Sequence, residues 1–326
     1  MPRIWTNTWF FGLVCILLTL SLIGYTVHLQ KKIILEESQS NTLNLLNSVE
    51  KDLERSFAGL EQIFSGLENY LAQSPSENRI DPPAVRRVID NIILANPYLS
   101  ALLIVDGNGQ VLHWNNNFEK PNISDRHYFH IHQEGLFEGL FIGLPQQSLV
   151  NQEQWIFGIS KAVRHSDHSL SLVLAAIVDL NYFYRQYHTL FNFPGVTLTI
   201  SSPSGRIYSR VPGRREAIGQ QAPEFAIENG GSHEGTQHFS MTRKVNNYPL
   251  LLTVTKEKST VLKPWRNSAL SFVFLGFGIC AALLFMTYRT ALFQKQQMQI
   301  KEELSRQAMT DPLTELLNRR RVLELA

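Results

Sequence analysis

The chain has 326 residues, of which 44% are hydrophobic and 18% charged, with a formal net charge of +2. That length suits two domains, or one domain with membrane segments, and so small and dispersed a charge excludes nucleic acid as an expected partner. Cys15 and Cys280 are the two cysteines and both sit in apolar stretches, so the region between them has no disulfide framework and no thiol chemistry.

Residues 1–8 form a short N-terminal segment. Trp9 to Val27 then runs without a charged residue, and residues 9–29 are expected to cross a membrane as a helix. A cleaved signal peptide is the rival reading. It would have a shorter apolar region followed by a small-x-small site, and after Tyr25 the chain reads TVHLQKK, so an uncleaved anchor is favoured. A second uncharged stretch, Ala269 to Tyr288, lies between Arg266 and Arg289 and places a second span over residues 267–289. A twenty-residue helix is about 30 Å long, the thickness of a bilayer's hydrocarbon core. Apolar residues cover all its faces, unlike the single stripe of a surface helix. Trp5, Trp9, Tyr25, Trp265 and Tyr288 suit the two membrane interfaces. Two spans leave both termini on one side and residues 30–266 on the other. Flanking charge does not choose the side: Arg3 is set against Lys31 and Lys32, and Arg289, Lys295, Lys301 and Arg306 against Lys256, Lys258, Lys263 and Arg266.

After the first span, Leu46, Val49, Leu53, Phe57, Leu60, Phe64, Leu67 and Leu71 recur at spacings of three and four, which predicts one long helix over residues 33–71. It reads as a stalk and a dimer seam, with a core helix as the alternative. Ser74 to Pro83 is a break, and a shorter helix carrying Val85, Val88, Ile89 and Ile92 ends at Asn96-Pro97. Leu99 to Asp106 and Gln110 to Asn115 flank Gly107-Asn108-Gly109, a hairpin signal. A polar insert follows. Trp155 to Val163 and Ser169 to Leu180 then make a strand pair, closed by an aromatic helix over residues 182–191. The pattern recurs with Val196 to Ser201 and Arg206 to Arg210, then His238 to Val245 and Tyr248 to Thr255. FGISKAV at Phe157 parallels FSMTRKV at Phe239. The expected fold is α+β: two lobes of antiparallel sheet with helices, at residues 83–191 and 192–266, on a stalk helix over residues 30–73. Past the second span, residues 290–309 read as a helix with Phe293, Ile300 and Leu304 on one seam.

The last residues, Thr310-Asp311-Pro312-Leu313-Thr314-Glu315-Leu316-Leu317-Asn318-Arg319-Arg320, resemble the opening of a GGDEF domain, the catalytic domain of diguanylate cyclases, which usually starts D-x-L-T-G-L-x-N-R-R. Glu315 stands where that family has glycine. The resemblance implies that a cyclase begins within residues 310–326 and joins two GTP into cyclic di-GMP with Mg2+. The sequence given has sixteen residues from Asp311 to its end, ahead of the GG[D/E]EF loop, so these residues alone are expected to be inactive and to hold no cofactor. Residues 31–266 resemble the double Cache (dCache) sensor, two PAS-like lobes on a long helix. The resemblance is carried by Asp125-Arg126-His127-Tyr128-Phe129, His132, Gly143-Leu144-Pro145, Trp155, Ser160-Lys161, Val178-Asp179-Leu180, Pro249-Leu250 and Leu262-Lys263-Pro264-Trp265-Arg266. It implies a bacterial inner-membrane protein with a periplasmic sensor and cytoplasmic termini. It also implies a homodimer joined through stalk and signalling helices, and a small-molecule ligand in the membrane-distal lobe. The alternative is a non-enzymatic receptor fragment that binds ligand or pairs with homologous receptors.

Arg126 offers a planar fork for a carboxylate, and Asp179, at a strand end, a partner for an ammonium group. Tyr128, Trp155 and Tyr182 can wall a pocket with apolar surface and polar handles. His132 and Lys161 complete the expected ligand-binding set. The competing reading is an Arg126–Asp179 salt bridge among ordinary core aromatics. His127, His130 and His132 with Asp125 fit no standard zinc spacing, and on a strand only His130 and His132 would share a face, so no metal is expected. No catalytic nucleophile, paired carboxylate or phosphate loop stands out between the spans.

Overall fold

The computed structural model describes residues 3–72, 82–115, 120–165, 167–213, 215–222, 231–234 and 237–309. The residues resembling a GGDEF opening, Thr310 onward, lie outside them, as does most of the predicted break after the long helix. The described residues form two compact units, one within 37–261 and the other from the terminal segments 3–36 and 262–309.

Helix α1 runs unbroken from Arg3 to Ala72, so the predicted span and stalk are one element. In the larger unit α2 (Pro82–Ala95), β1 (Leu99–Asp106), β2 (Val111–His113), α3 (His127–Gln133), β3 (Phe141–Ile142), β4 (Gln146–Gln147), β5 (Trp155–Arg164), β6 (Leu170–Asp179) and α4 (Leu180–Phe191) follow. Next come β7 (Val196–Ser201), β8 (Ile207–Val211), a 3-10 turn at Arg215–Ala217, β9 (Gly231–Glu234), β10 (His238–Lys244), β11 (Leu251–Glu257) and the short helix α5 (Lys258–Val261). The first sheet has the order β2-β1-β6-β5-β3, with β4 also on β5; the second has the order β8-β7-β11-β10-β9. All the pairings are antiparallel. Both hairpins read from Gly-containing turns are present, as β1–β2 and β7–β8. The histidine-rich stretch is helical, not extended, which corrects the strand geometry weighed for its histidines.

The helical stripe on α1 is buried. Leu46, Val49, Leu53, Phe57, Leu60, Phe64 and Leu67 are all at most 3% exposed, and they share one core with residues of both sheets, including Leu102, Ile159, Ile200 and Leu252. The alternative reading of this stretch, a core helix, therefore describes it better than a dimer seam does. The stripe is spent on its own chain, because each such side chain gains about 1.5–3 kcal/mol by leaving water. Polar groups on α1 join it to both sheets and to α4. Asp52 Oδ2 accepts from Tyr187 OH at 2.8 Å and Gln186 Nε2 at 2.6 Å. Glu68 pairs with Lys161 at 2.7 Å, and the buried Glu50 with Arg243 at 2.6 Å.

The first sheet is buried on both faces. Leu102, Ile104, Leu174 and Ala176 point to the shared core. Leu103, Val105, Val173, Ala175 and Ile177 form a second core with Trp114, Ile123, Tyr128 and Phe129. Period-two alternation along β1 and β6 produces this split.

In the smaller unit, α1 and α6 (Lys263–Met309) run side by side and antiparallel. Thr8 Oγ1 donates to Gln294 Oε1 at 2.9 Å, and Trp265 Nε1 donates to Val27 O at 2.9 Å. Between them Gly12 faces Thr287, where a Cβ would come within 2.5 Å of the threonine hydroxyl, and Gly276 faces Ile23 at the same distance. Small residues let the two backbones approach. Both helices are long and apolar enough to cross a membrane, and only 6% of each apolar window is buried. A core helix of a soluble protein would be covered.

Candidate functional site

The loop leaving β2 is tied down before it reaches α3. Ile123 N–H donates to Gly109 O at 2.8 Å, and Arg126 N–H donates to Ile123 O at 3.0 Å. Arg126 then sits at the N-cap of α3 with an extended backbone, φ −83° and ψ 129°, and makes no side-chain cap. Its side chain is left to point elsewhere. Behind it Tyr128, Phe129 and His132 are buried and hold α3 on β5 and β6.

Arg126 and Tyr128 line a cavity of about 130 Å³ with Leu103, Trp114, Gln146 and Ile177, and the loop after β4 forms another side. Arg126 Nη1 donates to Gln146 Oε1 at 3.0 Å. Its Nε is buried and makes no hydrogen bond. Asp125 Oδ1 lies 3.9 Å from that nitrogen, too far for one, and the Asp125 side chain is 74% exposed. A buried donor left unsatisfied is costly, on the order of 1–3 kcal/mol, even though the Arg126 side chain as a whole is 17% exposed. A ligand oxygen placed there would relieve that cost. Burial pushes the Tyr128 phenol up to about 12 despite the nearby Arg126 guanidinium, so at neutral pH it is a neutral donor. The ring lies against Gly158 of β5, where a Cβ would come within 2.5 Å of it.

His132 lies deeper. Ser160 Oγ donates to Tyr128 O at 2.5 Å and stands 2.9 Å from His132 Nε2, which donates to it. Burial lowers the imidazole pKa, backbone contacts at Phe137 and Ser160 oppose this, and Arg164 lowers it further. The ring is a neutral strut here, not a base. Ser160 spends its proton on a backbone carbonyl, so the pair is no nucleophile.

The other expected ligand residues sit elsewhere. Trp155 points to the opposite face of β5 and packs near Gly219 of the second lobe. Lys161, on that same face, is paired with Glu68. Asp179 caps α4, its Oδ1 accepting from Asn181 N–H at 2.9 Å. Tyr182 lies 6.0 Å from the rings of Tyr98 and Phe183. The Arg126–Asp179 salt bridge of the competing reading is not made. Among the described residues no group of three His, Cys, Asp or Glu side chains could hold a metal. His127 lies against Phe141, His130 is 3.4 Å from Glu134, and His132 points inward. Sequence reasoning missed Gln146, which meets Arg126 across twenty residues; no spacing rule carries a contact between a cap residue and a two-residue strand.

No protein-family model matches the chain, and no curated protein matches it. Solved structures do match its fold. The extracellular domain of rpHK1S-Z16, described as a histidine kinase, superposes with a TM-score of 0.60 at 23% identity, covering 69% of this chain and 97% of that one. The ligand-binding domain of Mlp24, solved with asparagine, gives 0.56 at 14% identity over 72% of this chain and 98% of that one. The ligand-binding domain of the Pseudomonas aeruginosa amino acid chemoreceptor PctC, in complex with GABA, gives 0.51 at 14% over 67% and 99%. The long helix with two antiparallel sheets is therefore similar to dCache sensor domains, a fold these extracellular ligand-binding domains of histidine kinases and chemoreceptors share.

Proposed function

We propose that the chain is a transmembrane receptor whose two-lobed unit binds a small carboxylate-bearing ligand at Arg126 and regulates an output on the far side of the membrane. The observation that carries this reading is Arg126, which lines a cavity in a fold similar to ligand-binding domains and whose buried Nε has no hydrogen-bond partner. Guanidinium and carboxylate pair bidentately, and apolar walls strengthen the pairing by excluding water. The asparagine and GABA bound by Mlp24 and PctC both carry a carboxylate. The two apolar helices fit an anchor at each end of the sensor, placed by this reading in the periplasm with both termini in the cytoplasm.

The proposed output is a diguanylate cyclase, on the strength of the motif at Asp311 to Arg320. The catalytic body, with its GTP and Mg2+, would have to follow Ala326. Paired catalytic halves are the reason to expect a homodimer, its contacts lying outside the buried α1 stripe. A gene product extended past Ala326 with an intact GG[D/E]EF loop should convert two GTP to cyclic di-GMP; an inactive product would remove this output.

For the sensor, the full chain in lipid nanodiscs is screened by thermal unfolding against small carboxylates, including asparagine, GABA and norvaline. At least one should raise the midpoint, and Arg126→Ala should abolish that shift while leaving the unliganded midpoint within a few degrees. A shift that survives in Arg126→Ala would take Arg126 out of the site.

A further inference from the structure

The charges around the Arg126 cavity are unbalanced. Among the described residues that line it, Arg126 is the one charged side chain, and none is an aspartate or a glutamate. The rest of the wall is apolar or neutral. Leu103, Trp114, Ile123, Ile156 and Ile177 belong to the second core and are fixed by it. Gln146 Oε1 already accepts from Arg126. The Ser148 hydroxyl is turned to its own loop, where it accepts from the N–H groups of Val150 at 3.3 Å and Asn151 at 3.4 Å. Two carboxylates could be imagined as partners for an ammonium in this space, and neither lines it. Asp179 accepts from Asn181 N–H at the start of α4, and the Asp125 side chain is 74% exposed. An ammonium brought from water to this wall would lose its hydration and gain no counter-charge, which is strongly disfavoured. A second carboxylate on the ligand would meet no second cation there. The volume, about 130 Å³, limits size as well. A cavity of about 150 Å³ accepts a benzene ring, so the enclosed body of the ligand has about six non-hydrogen atoms.

We infer that this cavity selects a short-chain monocarboxylate that bears no amino group, an inference that rests on the reading of Arg126 as the carboxylate's partner. The guanidinium takes the carboxylate, its free Nε donating to one oxygen. The carbon chain lies against Leu103, Trp114, Ile156 and Ile177 and gains by leaving water. Discrimination needs an unfavourable element beside the attractive one. Here the attractive element is the guanidinium, which an amino acid would satisfy equally well. The unfavourable element is a described wall without an acid, which turns the amino acid away by its ammonium.

The test uses the full chain in nanodiscs of zwitterionic lipid and compares matched probes by thermal unfolding: pentanoate with norvaline, butanoate with GABA, and succinamate with asparagine. The members of each pair differ by one ammonium group. At least one of the three amino-free acids should raise the unfolding midpoint by several degrees, as mass action requires for a ligand well above its dissociation constant. It should bind about tenfold or more tightly than its amino partner. Succinate, with its second charge, should bind about tenfold or more weakly than the best of the three. Arg126→Ala should abolish the shift. An amino acid that binds as tightly as its amino-free partner, and is lost in Arg126→Ala, overturns the selectivity and leaves the Arg126 site standing. So does succinate binding as tightly as the best monocarboxylate. A shift that survives Arg126→Ala overturns the site itself, and no shift with any of these probes overturns both.

Discussion

At the scale of single residues, Arg126 and His132 face two versions of one problem, a polar group in a dry interior. Arg126 leaves one N–H unpaired and so stays ready for a ligand, whereas His132 engages Ser160 and is held neutral by burial. The lowered imidazole pKa has a pH signature. The folded state binds fewer protons than the unfolded chain, so His132 contributes stability that is present above the unfolded value near 6.5 and is lost as pH falls toward the folded one. The midpoint of the wild type should drop as pH goes from about 7.5 to 5.5. His132→Gln, which keeps a donor for Ser160, should flatten part of that fall. An identical pH profile in the variant would show that the proton is taken up elsewhere. Arg126 and Tyr128 could be picked out from side-chain chemistry, a planar fork for a carboxylate and an aromatic wall with a polar handle, and both line the cavity. The positions of Trp155 and Lys161 could not be picked out. Alternation separates them from Ile156, Gly158 and Ser160, but both faces of this sheet are buried, so the pattern does not say which face carries the cavity.

At the scale of elements, the stripe on α1 was fully legible and its partner was not. Spacings of three and four show that one face is apolar, and they are silent on whether a second chain or the same chain covers it. The structure answers with both sheets at once. Phe57→Ala should therefore cost about 3–5 kcal/mol, the range for a large buried aromatic, in one cooperative transition followed by tryptophan fluorescence. Two separated transitions would show that the lobes are independent. Strand β5 offers a sharper test. A methyl group at Gly158 would meet the Tyr128 ring at 2.5 Å, so Gly158→Ala should displace that wall and weaken carboxylate binding by tenfold or more, with a smaller effect on the unliganded midpoint. Unchanged affinity would mean that Tyr128 is not part of the binding surface. Helix α3 escaped the sequence reading because seven residues with three histidines offer little periodicity, and tertiary packing of Tyr128, Phe129 and His132 decides its form.

At the scale of the whole molecule, the proposed topology predicts chemical access. A cysteine replacing the exposed Asn151 should react with a membrane-impermeant maleimide in cells whose outer membrane is permeabilised, and one replacing the exposed Glu302 only after lysis. Cys15 and Cys280, in the apolar helices, should stay unlabelled in both cases. Labelling of Glu302→Cys before lysis would reverse or abolish the arrangement. The single helix shared by two sheets also has a consequence in time. Leu46 to Leu67 are made first, yet the residues that cover them extend as far as Val254 in the second sheet. At about 5–20 residues per second, the interval between the two is on the order of 10–40 s. Through the later part of it the first lobe can cover its share of the stripe, but the share buried by the second sheet stays open until Val254 is made. Completion of the core therefore waits for the last strands to be made, later than in a protein whose lobes each carry their own helix.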